Sequence, residues 1–397
     1  MRFDVLVVGA GPAGASAALV LARRGFSVAV VEKQRFPRRK VCGEYISATS
    51  WPLLGEMGVR EPLLALAGPP VRRVGLFAAD HTASAPMPAP RRGESWGRAV
   101  GRDRLDPLLL SRAASAGAVV MQPCAVVDWE ARDGGAVARL RDDAGGENEI
   151  AARCLIAAQG SWERTGPTLD RIERKKGDDD LLGFKAHFHD AALEPGLMPL
   201  VLFPGGYGGL VHSDSGRVSF SCCIRRDALR RCRTRHATRS AGDAVLAHVL
   251  EHVRGVREVL GVAKREAAWL AAGPIRPGIR VRGEDTMLRI GNAAGEAHPL
   301  VAEGISMAIQ SGWLLGHAMP RELTAGALAQ AARDHAHLWR HHFATRVHAS
   351  ALFAAVTLSP LSGPGCAALL AHAPRLLTWA ARWSGKAHAV RQIEQAA

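Results

Sequence analysis

The first 32 residues place a glycine-rich turn between two short apolar runs. Phe3 to Val8 is rich in β-branched residues, which is typical of a strand buried on both faces. Residues 13–24 have helical spacing, and Gly25 follows them as a helix C-cap would. A second apolar run, Ser27 to Val31, completes the pattern. The opening of the chain therefore predicts a strand–helix–strand unit with two parallel strands.

The turn has the sequence Gly9-Ala10-Gly11-Pro12-Ala13-Gly14. In such a turn the first glycine allows a sharp bend, the second lets a pyrophosphate approach the backbone, and the third lets helix and strand pack closely. The helix N-terminus then presents unbonded N–H groups and a positive dipole end to the phosphates. Glu32 ends the second strand, where it is placed to accept hydrogen bonds from ribose hydroxyls. The unit predicts binding of FAD or NAD, whose ribose is unphosphorylated, rather than NADP.

The net charge of +14 raises the question of a nucleic acid or an acidic membrane as partner. Only seven of the 51 basic residues are lysines, which indicates genome composition rather than selection for a polyanion. The dense basic tract, Arg225 to Arg239, lacks the interleaved aromatic residues of a single-strand binder. We therefore predict no nucleic-acid partner and interpret the tract as solvated surface, while an acidic substrate or a carrier protein stays open.

Cysteines and apolar runs restrict the cellular setting. The seven cysteines are scattered, without a Cys-x-x-Cys pair or a spacing that suits zinc, so we predict reduced thiols, no metal site and a cytoplasmic location. The apolar run from Val5 to Ala22 is a candidate signal peptide or membrane helix, but the glycines of the turn interrupt it. We predict a chain with no integral membrane segment, at most peripheral to a membrane.

A second motif runs from Arg289 to Pro299 and continues from Ala302 to Ala308. A short strand leads into a Gly/Ala turn, then a proline-containing loop, then a helix opened by Gly304. Together with the opening turn and the stretch Cys42-Gly43-Glu44-Tyr45-Ile46-Ser47, this motif resembles the FAD-dependent monooxygenase superfamily of the para-hydroxybenzoate hydroxylase type. Its geranylgeranyl reductase-like branch is the most similar, and the resemblance extends over most of the chain. It implies FAD rather than NAD.

The resemblance also implies roles for residues near the flavin. In that family the turn at Gly291 contacts the ribityl chain, and the N-terminus of the next helix faces the flavin, where its dipole stabilises the anionic reduced form. This chain has Asn292 where the family has Asp, and an amide can still bind a hydroxyl. It has Gln159-Gly160 where the family's hydroxylases have Asp-Gly, which puts direct hydroxylation driven by NAD(P)H in doubt. The electron donor stays open between NAD(P)H and a protein.

For each of three further side chains the sequence leaves two interpretations open. Arg102 either lies against FAD, as the resemblance implies, or pairs with Asp106 at the start of a helix. Cys42, beside the isoalloxazine in the reductase-like branch, is either a redox or proton-delivering thiol or a packing residue. His298 is either a catalytic acid or base or a simple hydrogen-bonding residue.

The predicted site residues follow from these arguments. Cys42 and His298 are the catalytic candidates, and Tyr207 and Pro299 are the candidates for binding substrate. The residues predicted to bind FAD are Gly9, Gly11, Pro12, Ala13, Gly14, Glu32, Lys33, Cys42, Gly43, Arg102, Gln159, Gly160, Gly291, Asn292, Ala293, Gly304 and Ile305. The Trp-x-Trp-x-Ile-Pro stretch of flavin halogenases is absent from the sequence.

The whole pattern predicts an α/β fold. A discontinuous Rossmann-like FAD-binding domain is expected over residues 1–75, 95–175 and 275–320, with an inserted antiparallel-sheet substrate domain over 76–94 and 176–274. A C-terminal helical region is expected over 321–397. The predicted activity is that of an FAD-dependent oxidoreductase of the reductase or dehydrogenase type, acting on an apolar polyprenyl, polyketide or aromatic molecule. The alternatives are a flavin-hydroperoxide monooxygenase and, from another class, a non-catalytic binder on the same fold.

Overall fold

The described residues form two main β-sheets with helices packed around them. The computed structural model describes residues 1–92, 94–132, 134–161, 177–238, 240–283, 287–359 and 361–386. One sheet has seven strands and the other eight, and two short two-stranded sheets accompany them. The α/β fold predicted from the sequence is confirmed.

The strands of the described residues have the following bounds. They are β1 Arg2–Val8, β2 Val28–Val31, β3 Tyr45–Ile46, β4 Arg73–Ala78, β5 His81–Pro86, β6 Arg98–Ala99, β7 Val119–Met121, β8 Cys124–Arg132, β9 Gly135–Asp142, β10 Glu147–Ala157, β11 Leu181–His189, β12 Leu197–Phe203, β13 Gly206–His212, β14 Val218–Arg225, β15 Lys264–Arg265, β16 Leu270–Ile275, β17 Gly278–Ile279, β18 Leu288–Arg289 and β19 Gly295–Glu296.

The helices lie on both sides of the sheets and dominate the C-terminal part. They are α1 Pro12–Arg23, α2 Trp51–Glu56, α3 Arg60–Leu66, α4 Arg102–Ser115, α5 Arg226–His236, α6 Ala241–His252, α7 Arg254–Leu260, α8 Gly304–Ala318, α9 Ala325–Leu358, α10 Gly363–His372 and α11 Arg375–Ala381. A single π-helical turn, Arg382–Lys386, continues α11.

The first sheet has the strand order β7-β2-β1-β10-β9-β8, with β18 also paired to β10. Strand β1 lies parallel to β2 and to β10, whereas β8, β9 and β10 form an antiparallel meander. One long strand, β10, pairs with β9 along its first half and with β1 along its second half.

Strand β1 is apolar from Val5 to Val8 because both of its faces are covered there. Val5 and Val7 belong to the cluster formed with α1, α4 and α8, whereas Leu6 and Val8 belong to a cluster on the other face. Helices α1 and α8 approach so closely that a Cβ at Gly312 would lie 2.1 Å from the carbonyl oxygen of Ala13. The two helices are therefore held in one arrangement relative to each other.

The second sheet has the order β15-β11-β14-β13-β12-β4-β5, with β16 also paired to β11. It is antiparallel except for the parallel pair of β4 and β12. One face packs against α5, α6 and α7, and the other faces the C-terminal helices α10 and α11. We propose that the chain divides into domains along these two sheets, as the sequence pattern predicts, with residues 73–86 and the strands from β11 to β16 forming the insert.

The basic tract of α5 lies among carboxylates. Arg239 lies outside the described residues. The pairs are Arg225 and Arg231 with Asp227, Arg226 with Asp180, Arg230 with Asp178, and Arg235 with Glu251. The interpretation of the tract as solvated surface stays a prediction, and these pairs favour it because they neutralise much of its charge.

Helix length gives one further observation. Among the described residues no single helix has both the length and the apolarity needed to cross a membrane. Helices α9 and α10 combine sufficient length with sufficient apolarity only as a pair, and they meet at an angle of 106°.

Candidate functional site

A cavity of about 620 Å³ lies between the two sheets and the C-terminal helices. Its size is within the range of small-molecule and cofactor sites. Residues of the opening glycine turn, of the Gly291 turn, of β13 and of α11 all line this one cavity. The two motifs that the sequence places almost 280 residues apart therefore meet, since a Cβ at Gly291 would lie 2.8 Å from the Cβ of Ala13.

The opening turn forms a cradle that a side chain would fill. Gly9 has φ +102°, and a Cβ there would lie 2.7 Å from the carbonyl oxygen of Ala158. Gly11 is the N-cap of α1 and offers no side-chain acceptor, so no cap blocks the N–H groups of the first turn. A Cβ at Gly11 would meet only the Arg102 guanidinium, at 3.5 Å. The turn thus combines backbone donors and open space, which is what a pyrophosphate requires.

Glu32 lies in the cavity wall, with its carboxylate already partly engaged. Its Oε2 accepts a hydrogen bond from the Ala10 N–H (3.0 Å) and its Oε1 accepts one from the Gln34 N–H (3.0 Å). The guanidinium of Arg38 lies 3.5 Å away. Each carboxylate oxygen has two lone pairs, so these contacts leave acceptor capacity for ribose hydroxyls and fix the orientation of the group.

The second motif supplies the other end of the cradle. Gly291 has φ +56°, in the left-handed region that favours glycine. Helix α8 begins at Gly304 without a side-chain cap, and Gly304 and Ile305 line the cavity. Two uncapped helix N-termini, of α1 and α8, therefore face one cavity, and each favours negative charge. This donor set fits FAD: the N-terminus of α1 would hold the pyrophosphate, and the N-terminus of α8 would face the flavin.

Asn292 belongs to a partly buried polar cluster that the sequence pattern did not reveal. Its Nδ2 donates to Ser161 Oγ (2.9 Å) and to Glu296 Oε1 (3.1 Å). Burial raises the pKa of Glu296, and the Arg280 guanidinium 3.7 Å away opposes that shift. The cluster holds the Asn292 amide in a fixed orientation at the cavity edge.

Arg102 pairs with Asp106 at the start of α4, and its position at the cavity leaves the predicted contact with FAD a prediction. Its guanidinium makes two 2.6 Å hydrogen bonds to the buried carboxylate of Asp106, and it also lines the cavity beside Gly11. Burial alone would lower the pKa of Arg102, but Asp106 and the neighbouring Cys42 raise it above its ordinary value. The cation is therefore retained at the nucleotide end of the cavity.

Cys42 lies in the loop between β2 and β3 and lines the cavity with Gly43. The Glu44 N–H donates to its Sγ at 3.4 Å, and the Arg102 guanidinium contacts it as well. Gln159 and Gly160 line the same region, Gly160 with φ +89°. The loop is therefore ordered against the nucleotide-binding elements.

Tyr207 and His298 form a pair on the opposite wall. The Tyr207 hydroxyl and His298 Nδ1 are 2.5 Å apart, and the backbone N–H of His298 donates to Ser350 Oγ. Burial lowers the pKa of His298 to about 4, whereas burial and the neighbouring Cys223 raise the pKa of Tyr207. Both rings are therefore neutral near pH 7, and the tyrosine is held in one orientation.

The low pKa of His298 has a measurable consequence. The unfolded chain takes up a proton at this residue below pH 6.5, whereas the folded chain does so only near pH 4, so stability falls as the pH drops through this window. We expect His298→Asn to lose less stability than the wild-type protein between these pH values. Thermal unfolding of both proteins across this range measures the difference. Parallel curves would contradict the assignment.

A buried charged network beside the cavity was missed altogether. Glu44 has φ +62°, and its carboxylate contacts the Lys185 ammonium, His187 Nε2 (2.9 Å) and the Ser213 hydroxyl (3.0 Å). A second group, Asp214 and Arg217, continues the network to the Gly101 N–H at the start of α4. Glu44, Lys185 and His187 are each at most 2% exposed. The network joins the second sheet to the loop that carries Cys42.

Most of the predicted site residues lie in the cavity wall. Two of the predicted FAD-binding residues, Gly14 and Ala293, do not line it. A Cβ at Gly14 would lie 1.9 Å from the Gly9 carbonyl oxygen, so Gly14 serves close packing. Ala293 packs against the apolar cluster behind the first sheet. Tyr207 and Pro299 both line the cavity, as does the exposed Lys33.

The fold and the cradle formed by the two glycine turns define a flavoprotein that binds a flavin dinucleotide. The FAD binding domain family matches residues 2–351, and the chain belongs to that family. The expectations of an FAD cofactor, of a flavin-dependent oxidoreductase and of a geranylgeranyl reductase-like relationship are thereby confirmed.

Two curated relatives cover most of the chain. The menaquinone reductase of Mycolicibacterium smegmatis is 30% identical over 359 residues, which are 86% of this chain and 81% of the relative. Digeranylgeranylglycerophospholipid reductase 1 of Methanopyrus kandleri is 26% identical over 331 residues, which are 80% of each chain.

Solved structures share the fold. The geranylgeranyl bacteriochlorophyll reductase-like protein of Thermoplasma acidophilum has a TM-score of 0.70 at 19% identity, covering 93% of this chain and 90% of that chain. The myxobacterial chondrochloren halogenase has a TM-score of 0.73 at 19% identity, covering 90% and 82%. At such identities the likeness concerns the fold alone.

Proposed function

We propose that this protein reduces carbon–carbon double bonds in a polyprenyl chain, attached to a quinone or to a lipid. The single observation that carries the proposal is the aliphatic part of the cavity beyond the nucleotide cradle. Glu32 and Arg102 line the nucleotide end and Glu44 and Glu296 also line the cavity, whereas the second sheet and the C-terminal helices contribute aliphatic and aromatic groups. These are Val74, Met198, Leu200, Phe353 and Leu377.

The apolar lining favours an extended hydrocarbon over a polar substrate. Val74, Leu200 and Phe353 pack with Tyr207 and Leu377 in one cluster, so the Tyr207 hydroxyl is a polar group within an apolar wall. Transfer of a prenyl chain from water into such a surface is favourable in proportion to the buried area. The reductase relatives support the same substrate class.

Reduction of a double bond needs a hydride and a proton. Bound FAD, once reduced, supplies the hydride. We propose Cys42 as the proton donor rather than His298, because a histidine with a pKa of about 4 is not protonated at neutral pH. Tyr207, oriented by His298, then contacts the substrate. NAD(P)H and a protein partner are both candidate electron donors, because the residues that line the cavity do not favour one over the other.

The test uses the purified holoprotein under anaerobic conditions. The flavin is reduced in turn with NADH, NADPH and dithionite, and a polyprenyl menaquinone, geranylgeranyl diphosphate or a geranylgeranylated glycerolipid is added. We expect the product mass to increase by two hydrogens per reduced double bond. A product that instead gains one oxygen atom when air is admitted would establish a monooxygenase, and a protein that cannot be loaded with FAD would establish a non-catalytic binder.

The proposed donor is tested separately. Cys42→Ala should lower kcat by about 100-fold, the smallest effect typical of losing a general acid, with KM and FAD content little changed. Cys232→Ala is the matched control, because this buried thiol belongs to the core around α5 and α6, away from the cavity wall. Unaltered kcat in Cys42→Ala, together with a large loss in Tyr207→Phe, would transfer the donor role to the tyrosine.

A further inference from the structure

Exposed apolar side chains are concentrated on the C-terminal helices. Among the described residues, six of the ten exposed large hydrophobic side chains lie between positions 352 and 383. They are Leu352, Leu361, Leu369, Leu376, Trp379 and Trp383, and the last three, which lie together on one short helical segment, are here called the C-terminal apolar surface. Trp379 is 59% exposed and Trp383 54%. Exposed tryptophans in such a group are unusual on a protein surface that only contacts water.

The helical segment from Arg375 to Lys386 is amphipathic. Arg375, Trp379, Arg382 and Trp383 are spaced by four, seven and eight residues, which places them on one side of a helix. The two indole rings are 5.4 Å apart. Residues on the other side are buried, and Leu377, Ala381 and Ser384 line the cavity. One face of the segment therefore borders the substrate cavity and the other faces outward.

Charge complements this apolar character. The sequence contains no aspartate or glutamate between Asp334 and Glu394, a stretch that includes both tryptophans. Arg375 and Arg382 are exposed beside the indole rings. Tryptophans flanked by arginines, without acidic residues, suit the boundary between acyl chains and anionic headgroups.

We propose that the C-terminal apolar surface docks this protein on an anionic lipid bilayer. The tryptophans enter the boundary region, Arg375 and Arg382 contact lipid phosphates, and the cavity lies directly behind the docked helix. An apolar substrate dissolved in the bilayer then reaches the cavity along the C-terminal helices without crossing water. This route, though not the docking itself, rests on the proposed function.

Vesicle flotation of the full chain tests the docking. We expect the protein to float with vesicles of equimolar phosphatidylglycerol and phosphatidylcholine, and much less with phosphatidylcholine alone or at high salt. The double variant Trp379→Ala/Trp383→Ala should bind about tenfold more weakly, because it removes the two inserted rings. Arg375→Glu/Arg382→Glu should do so as well while leaving the apolar groups intact.

Matched controls distinguish binding through this surface from nonspecific hydrophobic or electrostatic adsorption to the vesicles. Val262→Ala removes an exposed apolar side chain elsewhere, and Arg233→Glu reverses an exposed charge of the basic tract on α5. Both should float like the wild-type protein. Equal flotation of all variants would overturn the proposal. So would a wild-type protein that ignores vesicles but forms a dimer, measured by light scattering, that the tryptophan variant dissociates.

An activity assay keeps this proposal distinct from the proposed function. The tryptophan variant should reduce detergent-dispersed substrate as fast as the wild type but reduce vesicle-embedded substrate more slowly. If the wild-type protein floats yet reduces neither preparation, the docking stands and the polyprenyl reductase proposal fails.

Discussion

Replacing Lys185 by methionine should lower the free energy of unfolding by about 3–5 kcal/mol, because it leaves a buried carboxylate without its cation. Lys185 is 1% exposed, and its ammonium contacts Glu44. Glu44 in turn is held by His187 and Ser213, which can still donate hydrogen bonds but cannot replace the full charge. Urea unfolding of the purified variant measures the loss.

The control for this experiment is an exposed lysine with a similar partner. Lys264 lies 3.3 Å from Asp190 on the surface, and Lys264→Met should change stability by less than about 1 kcal/mol. The double variant Glu44→Gln/Lys185→Met should regain part of the loss, because it leaves no unpaired charge behind. If Lys185→Met has an effect as small as that of the control, the Glu44–Lys185 pair contributes nothing to the free energy of unfolding.

Lowering the pH should remove the stabilisation that the Glu44 carboxylate gains from Lys185 and His187. Burial raises the pKa of Glu44, but Lys185 and His187 outweigh it, so the pKa lies well below its ordinary value of 4.5. The contribution is therefore complete above pH 4.5, where the unfolded chain is also ionised, and is lost as the pH falls below it. The stability difference between wild type and Glu44→Gln should shrink over that range.

Gly14→Ala should yield a protein that is less stable and purifies largely without flavin. The added Cβ would lie 1.9 Å from the Gly9 carbonyl oxygen, which belongs to backbone and cannot rotate away. Overpacking of this kind costs about 1–3 kcal/mol, and relief requires α1 to move away from the turn that is expected to hold the pyrophosphate. Absorbance of the purified protein near the flavin bands and a thermal melt measure both effects.

Gly326→Ala is the matched control, since no atom lies within 4 Å of its Cβ position and the residue is near the exposed start of α9. It should be neutral or slightly stabilising, because alanine favours helix more than glycine does. If Gly14→Ala retains a full complement of flavin and the melting temperature of the control, the close contact at Gly14 has no role in shaping the cradle.

Much of the nucleotide-binding part could be predicted because its signals are local. The apolar run of β1, the glycine turn and the helix that follows occupy consecutive positions, and each constrains its neighbours. Glu32 could be assigned in the same way, whereas Gly291 and Gly304 were assigned from the resemblance to the FAD-dependent monooxygenase superfamily. Gly14 and Ala293 were predicted to bind FAD from these motifs, because a motif does not distinguish residues that face a ligand from those that pack behind it.

The network around Glu44 shows a feature that the sequence pattern could not predict. Lys185 and His187 alternate along β11 with Phe184, Ala186 and Phe188, a pattern that ordinarily indicates one buried and one solvated face. The structure buries both faces, the apolar one against α5 to α7 and the charged one against Glu44. Period-two alternation cannot tell water from a second polar layer, so the network could not be found.

The sequence by itself determined the strand–turn–helix unit with its glycine turn and the helical C-terminal region, because short-range sterics and backbone hydrogen bonding leave few other conformations for those residues. Only the tertiary structure decided that the Tyr207–His298 pair, the Glu44 network and the α11 segment surround one cavity. Contacts between residues about 90 to 300 positions apart depend on how the two sheets pack, and packing is a property of the whole chain.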